Sequence, residues 1–261
     1  MKELAEHKKT VIKAAVFDFD GTISTMRCGW EEVMEPLMLG CISGGRPVSD
    51  DLVQEVRDYI DRSTGIQTIL QMKWLAERTV KENSDAPSDP WYYKKLYNDR
   101  LMEKISSRIS DAENGNASDY LICGSREFLA RLRDTGCTLF AASGTDNADV
   151  RHEAGVLGVA GYFSRIEGAK PMSESCSKEA TLRELIGESG YRPENILVVG
   201  DGPVEIKLGR EFGTLTLGIA SDEKRRRGFN ARKEDRLTSA DAHAIVDCFE
   251  DADGIFEWMN S

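Results

Sequence analysis

Asp18 and Asp20 stand one residue apart, directly after the apolar run Ala14 to Phe17. Side chains at i and i+2 of an extended chain project to the same side, so these two carboxylates can converge on one point. They repel each other unless a proton or a cation joins them, and a hard, oxygen-seeking divalent ion such as Mg²⁺ is the natural partner. Gly21 permits the tight exit that a following turn demands. Two other apolar runs end in polar groups: Thr138 to Ala142 leads into Ser143-Gly144-Thr145, and Ile196 to Val199 leads into Gly200-Asp201-Gly202. Ligands of open α/β sheets bind outside the carboxyl ends of the strands, so the three tips are expected to share one crevice. Asp201 then completes a metal site, with Glu205 four residues later on the first turn of a helix.

The elements that must position these residues are legible as alternation. The three apolar runs read as buried parallel strands, and Thr214 to Ala220 and Ala242 to Val246 as two more. Helical patterns lie between them: Ser125 to Arg133, Ala148 to Leu157, Lys178 to Ser189 and Val204 to Phe212, three of them closed by a glycine. This order implies a doubly wound α/β core. Residues 25–118 differ, with no strand signal and four helical patterns, and read as an all-helical insertion after the first strand; 1–24 and 119–261 form the core. Within it, Ile66, Ile69, Leu70 and Trp74 mark an apolar helix face, while Gln67 and Gln71 share another. Asp89-Pro90 reads as a helix start, followed by Tyr93, Tyr97, Leu101 and Ile105 at every fourth position.

With these motifs in order, the sequence resembles the haloacid dehalogenase superfamily of phosphohydrolases. The family's first motif, DxDGT, matches Asp18 to Thr22; the second, a serine or threonine ending a strand, matches Ser143. The third, a lysine opening a helix, matches Lys178 better than Lys170, which precedes Pro171. The fourth, GDxxxD, matches Gly200-Asp201, with Glu205 in place of the last aspartate. The resemblance implies a Rossmann-like parallel sheet with helices on both faces and a helical cap like that of phosphoglycolate phosphatase and β-phosphoglucomutase relatives. It implies Mg²⁺ held by Asp18, the backbone carbonyl of Asp20, and Asp201, with Glu205 reaching the ion through water.

The implied chemistry is phosphoryl transfer through an aspartyl phosphate on Asp18, with Asp20 as general acid and then base. Ser143 and Lys178 would hold the equatorial oxygens, helped by backbone N–H groups near Gly21, Thr22 and Gly144. Candidate leaving-group contacts are Arg27, Trp30, Gln67, Thr68 and Gln71. The expected substrate is a small phosphorylated metabolite, with a β-phosphoglucomutase-like mutase and a catalytically silent binding module as alternatives.

Composition narrows the partners. The 261 residues carry 34 basic and 45 acidic side chains, a net charge of −11, which repels a polyphosphate backbone and argues against nucleic acid. The segment Ser221 to Arg236, with seven basic and four acidic residues, reads as a solvated loop. No apolar run approaches the roughly 18 residues of a membrane span, and the run after the charged N-terminus breaks at Asp18, too soon for a signal-peptide core. Six scattered cysteines without a CxxC pair fit a reducing, cytoplasmic setting. Arg151-His152-Glu153 lacks the glycine of a histidine-phosphatase motif, and no GxxxxGK loop occurs. Monomer and homodimer both remain open.

Overall fold

The computed structural model describes residues 1–170, 177–188 and 190–261, apart from the side chains of 177, 185, 186 and 188. Pro171, Cys176 and Ser189 of the sequence reading lie outside the described residues. The described chain divides into two compact units, Met1–Cys28 with Arg108–Ser261, and Gly29–Ser107.

The larger unit is built on one sheet. In chain order its strands are β1 (Lys2–Glu3), β2 (Ala14–Phe17), β3 (Thr138–Asp146), β4 (Arg165–Ala169), β5 (Ile196–Gly200), β6 (Leu215–Ile219) and β7 (Ala244–Val246). Their spatial order is β1-β7-β6-β5-β2-β3-β4, all pairs parallel except β1 with β7. The two-residue pleat sends alternate side chains to opposite faces. Ala15, Phe17, Leu197 and Val199 join one buried cluster with Phe128, Val150 and Trp258, whereas Ala14, Val16, Ile196 and Val198 join another with Leu182. Helices α5 (Ser125–Asp134), α6 (Asn147–Val156) and α10 (Ala252–Met259) therefore cover the first face, and α7 (Ser177–Glu188) and α8 (Pro203–Phe212) the second. Helix α9 (Ala231–Ser239) packs Leu237 against Ile206 and Ile245 on that second side.

Registration aligns the three strand tips. Phe17 of β2 lies opposite Ala141 of β3 and Val199 of β5, so Asp18, Ala142 and Gly200 come next at one level of the sheet. The Asp18 N–H donates to the Val199 carbonyl at 2.8 Å, carrying the pairing one step beyond the strand.

The smaller unit is entirely helical among its described elements: α1 (Glu31–Ser43), α2 (Asp50–Arg62), α3 (Thr68–Glu82) and the start of α4 (Pro90–Asp111). Tyr93, Tyr97, Leu101 and Ile105 are buried along α4, and Asp89 accepts the Trp91 N–H through its side chain at 3.0 Å. On α3 the buried face is Ile69, Met72, Leu75, Ala76 and Thr79 together with Gln71. Leu70 and Trp74 are only half-buried, and Trp74 stacks on Tyr59 at 3.8 Å. The expected polar face thus points inward and part of the expected apolar face outward.

Residues 25–28 and 108–118 group with the sheet rather than with the helices. The Thr25 N–H donates to the Tyr120 carbonyl at 2.9 Å, and Arg108 donates to the carbonyls of Met26 and Cys28, both at 2.8 Å. Among the described residues no helix is long and apolar enough to cross a membrane.

Candidate active site

Carboxylate oxygens of Asp18, Asp201 and Glu205 lie within 4.8 Å of one another, and all three residues are buried. Asp18 follows β2, Asp201 follows β5, and Glu205 sits in the first turn of α8, where its Oε1 accepts the Gly202 N–H at 2.7 Å. That bond satisfies one of the open donors at the helix start and fixes the glutamate's rotamer. The packing is possible because Gly200 has no side chain: a Cβ there would stand 2.1 Å from Glu205 Cγ. Gly21 is constrained twice, by its φ of +75° and by Asp201 Oδ2, which a Cβ would approach to 2.3 Å.

Two buried ammonium groups face the carboxylates. Lys178 Nζ of α7 lies 3.0 Å from Asp18 Oδ1 and 2.8 Å from Glu205 Oε2. Lys233 Nζ of α9 lies 2.7 Å from Asp201 Oδ2 and 2.6 Å from Glu223 Oε1. Burial raises the Asp18 carboxyl well above the ordinary carboxylate range against the pull of Lys178, and Glu205, Asp201 and Asp20 push in the same direction as burial. Burial alone would lower Lys178, but Asp18 and Glu205 outweigh it and keep the ammonium charged. Asp201 goes the other way from Asp18: burial opposes ionisation, yet Lys233 draws its carboxyl below the usual range.

A divalent cation fits this set. Asp18, Asp201, Glu205 and Glu223 are four carboxylates against two ammoniums, an excess of two negative charges in a place where burial already penalises the Asp18 carboxylate. The donors are hard oxygens, the kind that Mg²⁺ takes.

Asp20 is positioned from β3. The Ser143 hydroxyl donates to Asp20 Oδ2 at 3.0 Å, the Thr145 hydroxyl donates to the same oxygen at 2.9 Å, and the Thr145 N–H donates to Ser143 Oγ at 2.9 Å. Ser143 is thus turned toward Asp20 in this structure. Thr22 is wholly buried, and its hydroxyl has no hydrogen-bond partner among the described residues. Gly144 is half-buried.

Of the two lysine candidates, Lys178 is the one beside Asp18; Lys170 is exposed and lines a separate cleft with Arg165, Glu167 and Glu184. Arg27 is held inside the larger unit, its Nη2 2.6 Å from Glu153 Oε1. Trp30, Gln67, Thr68 and Gln71 belong to the helical unit, where the Gln71 amide donates to the Ser63 carbonyl at 3.3 Å and Ser63 Oγ at 3.1 Å.

Sequence reasoning missed Lys233. The charge run that contains it reads as a solvated loop, but Ala231–Ser239 is helical and Lys233 is 5% exposed. The available signal was weak: Asn230 precedes the helix as a capping residue, and Lys233 and Leu237 stand four apart on one face. His243, read as lying within a strand, stands just before β7 instead.

The family model for haloacid dehalogenase-like hydrolases matches residues 12–213. Among curated proteins, phosphoglycolate phosphatase from Haemophilus influenzae is 23% identical over 224 residues, spanning 80% of this chain and 86% of that one. Two solved structures share the fold. A predicted phosphoglycolate phosphatase from Haemophilus somnus superposes with a TM-score of 0.63 at 18% identity, covering 95% of this chain and 99% of that one. β-Phosphoglucomutase from Clostridium difficile gives 0.66 at 17% identity, covering 96% and 98%. The matched span takes in the three strand tips with Lys178 and Glu205, and the chain belongs to the haloacid dehalogenase-like hydrolase family.

Proposed function

We propose that the protein is a Mg²⁺-dependent phosphatase of a small phosphorylated metabolite, working through an aspartyl phosphate on Asp18. The observation that carries this reading is the convergence of the Asp18, Asp201 and Glu205 oxygens within 4.8 Å, with Lys178 on Asp18. Asp18, Asp201 and Glu205 would hold the metal with the Asp20 carbonyl, and the metal's charge would screen the nucleophilic carboxylate from an anionic phosphoryl group.

Asp18 attacks phosphorus as the ester P–O bond breaks, and the departing oxygen takes a proton from Asp20. Water then attacks the aspartyl phosphate and gives its proton to Asp20, which frees phosphate and restores the Asp18 carboxylate. Lys178 offsets charge gathering on the transferring group. Thr145 and Ser143 keep Asp20 in place through both steps. In this reading the helical insertion serves as the cap that selects the leaving group, and scattered cysteines without a CxxC pair agree with a reducing, cytoplasmic setting.

The test is phosphate release from phosphoglycolate and a panel of sugar phosphates, with Mg²⁺ and with EDTA. Release that needs Mg²⁺ and disappears in Asp18→Asn is the expected result. A phosphomutase would instead yield sugar-phosphate isomers and little free phosphate, and activity persisting in Asp18→Asn would reject the nucleophile.

A further inference from the structure

Asp20 presents its two oxygens to different surroundings. Oδ2 accepts both the Ser143 and Thr145 hydroxyls, while Oδ1 is buried with no hydrogen-bond partner among the described residues. Arg27 Nε stands 3.8 Å from Oδ1, too far for a hydrogen bond. The guanidinium is kept at that distance by α6. Arg27 Nη2 and Nε donate to Glu153 Oε1 at 2.6 and 3.0 Å, Nε also approaches Glu153 Oε2 at 3.3 Å, and Nη2 approaches Asp149 Oδ2 at 3.4 Å.

Glu153 is 1% exposed and Arg27 9%, so neither charge is solvated. A buried carboxylate on a helix facing the sheet is expensive unless something requires it. Its partner here is a cation beside Asp20, and the planar guanidinium fork fixes direction as well as distance.

We infer that Arg27 and Glu153 are positioning residues for Asp20: Glu153 holds the guanidinium off Oδ1, leaving that oxygen open to the leaving-group oxygen, with a positive charge alongside but not bonded to it. This rests on the proposed acid role of Asp20. Without Glu153, the guanidinium closes onto Oδ1 and occupies the position from which the proton must leave. Without Arg27, the carboxylate of Glu153 is left buried and uncompensated beside Asp20. Either change misplaces the proton donor while leaving Asp18, Lys178 and the metal ligands in place.

Leaving-group dependence separates this role from a merely structural one. Departure of an alkoxide from an alkyl phosphate depends on protonation, whereas p-nitrophenolate leaves without it. General acid catalysis is worth about 10²–10⁴-fold. Arg27→Met and Glu153→Gln are therefore each expected to lower kcat on an alkyl phosphate by roughly 10²-fold, with a loss on p-nitrophenyl phosphate at least ten times smaller. Arg27→Lys, which keeps the charge but not the fork, should recover part of the alkyl phosphate rate. Asp20→Asn measured on the same two substrates is the reference. A selective loss in Asp20→Asn with equal losses on both substrates in Arg27→Met and Glu153→Gln overturns the positioning role alone. An unselective loss in Asp20→Asn overturns the acid role beneath it. Should Arg27→Met fail to fold, Glu153→Gln, which retains the arginine, decides: an unchanged ratio between the substrates rejects the inference.

Discussion

Gly21 shows how closely single atoms set this site. Its positive φ and the 2.3 Å approach of a virtual Cβ to Asp201 Oδ2 exclude any side chain. Gly21→Ala must adopt a left-handed backbone, which costs about 1–2 kcal/mol, and must also push Asp201 away from Asp18. The expected outcome is a lowered urea midpoint together with loss of phosphate release that added Mg²⁺ does not restore; normal turnover in that variant would show that the contact yields easily. Ser143 and Thr145 make the complementary point, since both hydroxyls donate to one Asp20 oxygen and so set the two oxygens of that carboxylate apart.

At the level of elements, α9 supplies what the strand tips lack. Lys233 is the partner of both Asp201 and Glu223 in a buried setting, and removing one member of such a group typically costs about 3–5 kcal/mol. Lys233→Met is expected to melt well below the wild type without metal and to recover more than the wild type does when Mg²⁺ is added, because the cation then balances charge that the lysine no longer offsets. Equal metal-induced shifts in melting temperature for the two proteins would refute this. The same helix marks where sequence reading fails. Strands β2, β3 and β5 were legible because both of their faces are covered, which leaves continuous apolar runs bounded by polar tips. Edge strand β4 was not, because Arg165 and Glu167 alternate with its buried residues and break the run. On α9 only Lys233 and Leu237 are buried, so its charge pattern is that of a surface segment, and its role depends on a partner in another part of the chain. Lys178 stood out in the sequence through the family resemblance, as a lysine opening a helix, whereas the engagement of Arg27 by Glu153 required the packing of α6.

Across the whole molecule, stability should carry a pH signature from outside the active site. His243 lies where β6 meets β7; its Nδ1 accepts the Thr216 N–H at 3.1 Å, and Arg210 sits against the ring. Burial, with Arg210 adding to it, lowers its pKa from 6.5 to about 4. A base whose folded pKa is depressed stays neutral in the native state while the unfolded chain takes up a proton, so stability falls as pH drops from 6.5 through about 4. His243→Gln lacks this titration, and the gap between the urea midpoints of the two proteins should narrow over that interval. A constant gap would remove His243 from the acid response.

Arg108 gives the connection between the two units a further meaning. By grasping the carbonyls of Met26 and Cys28, it ties the point where the chain departs toward residues 29–107 to the point where it comes back. The entropy of closing such a segment grows only with the logarithm of its length, by about 0.6 kcal/mol for each doubling. The sheet can therefore keep its strand register, and the carboxylates their places, while that excursion is lengthened, shortened or exchanged.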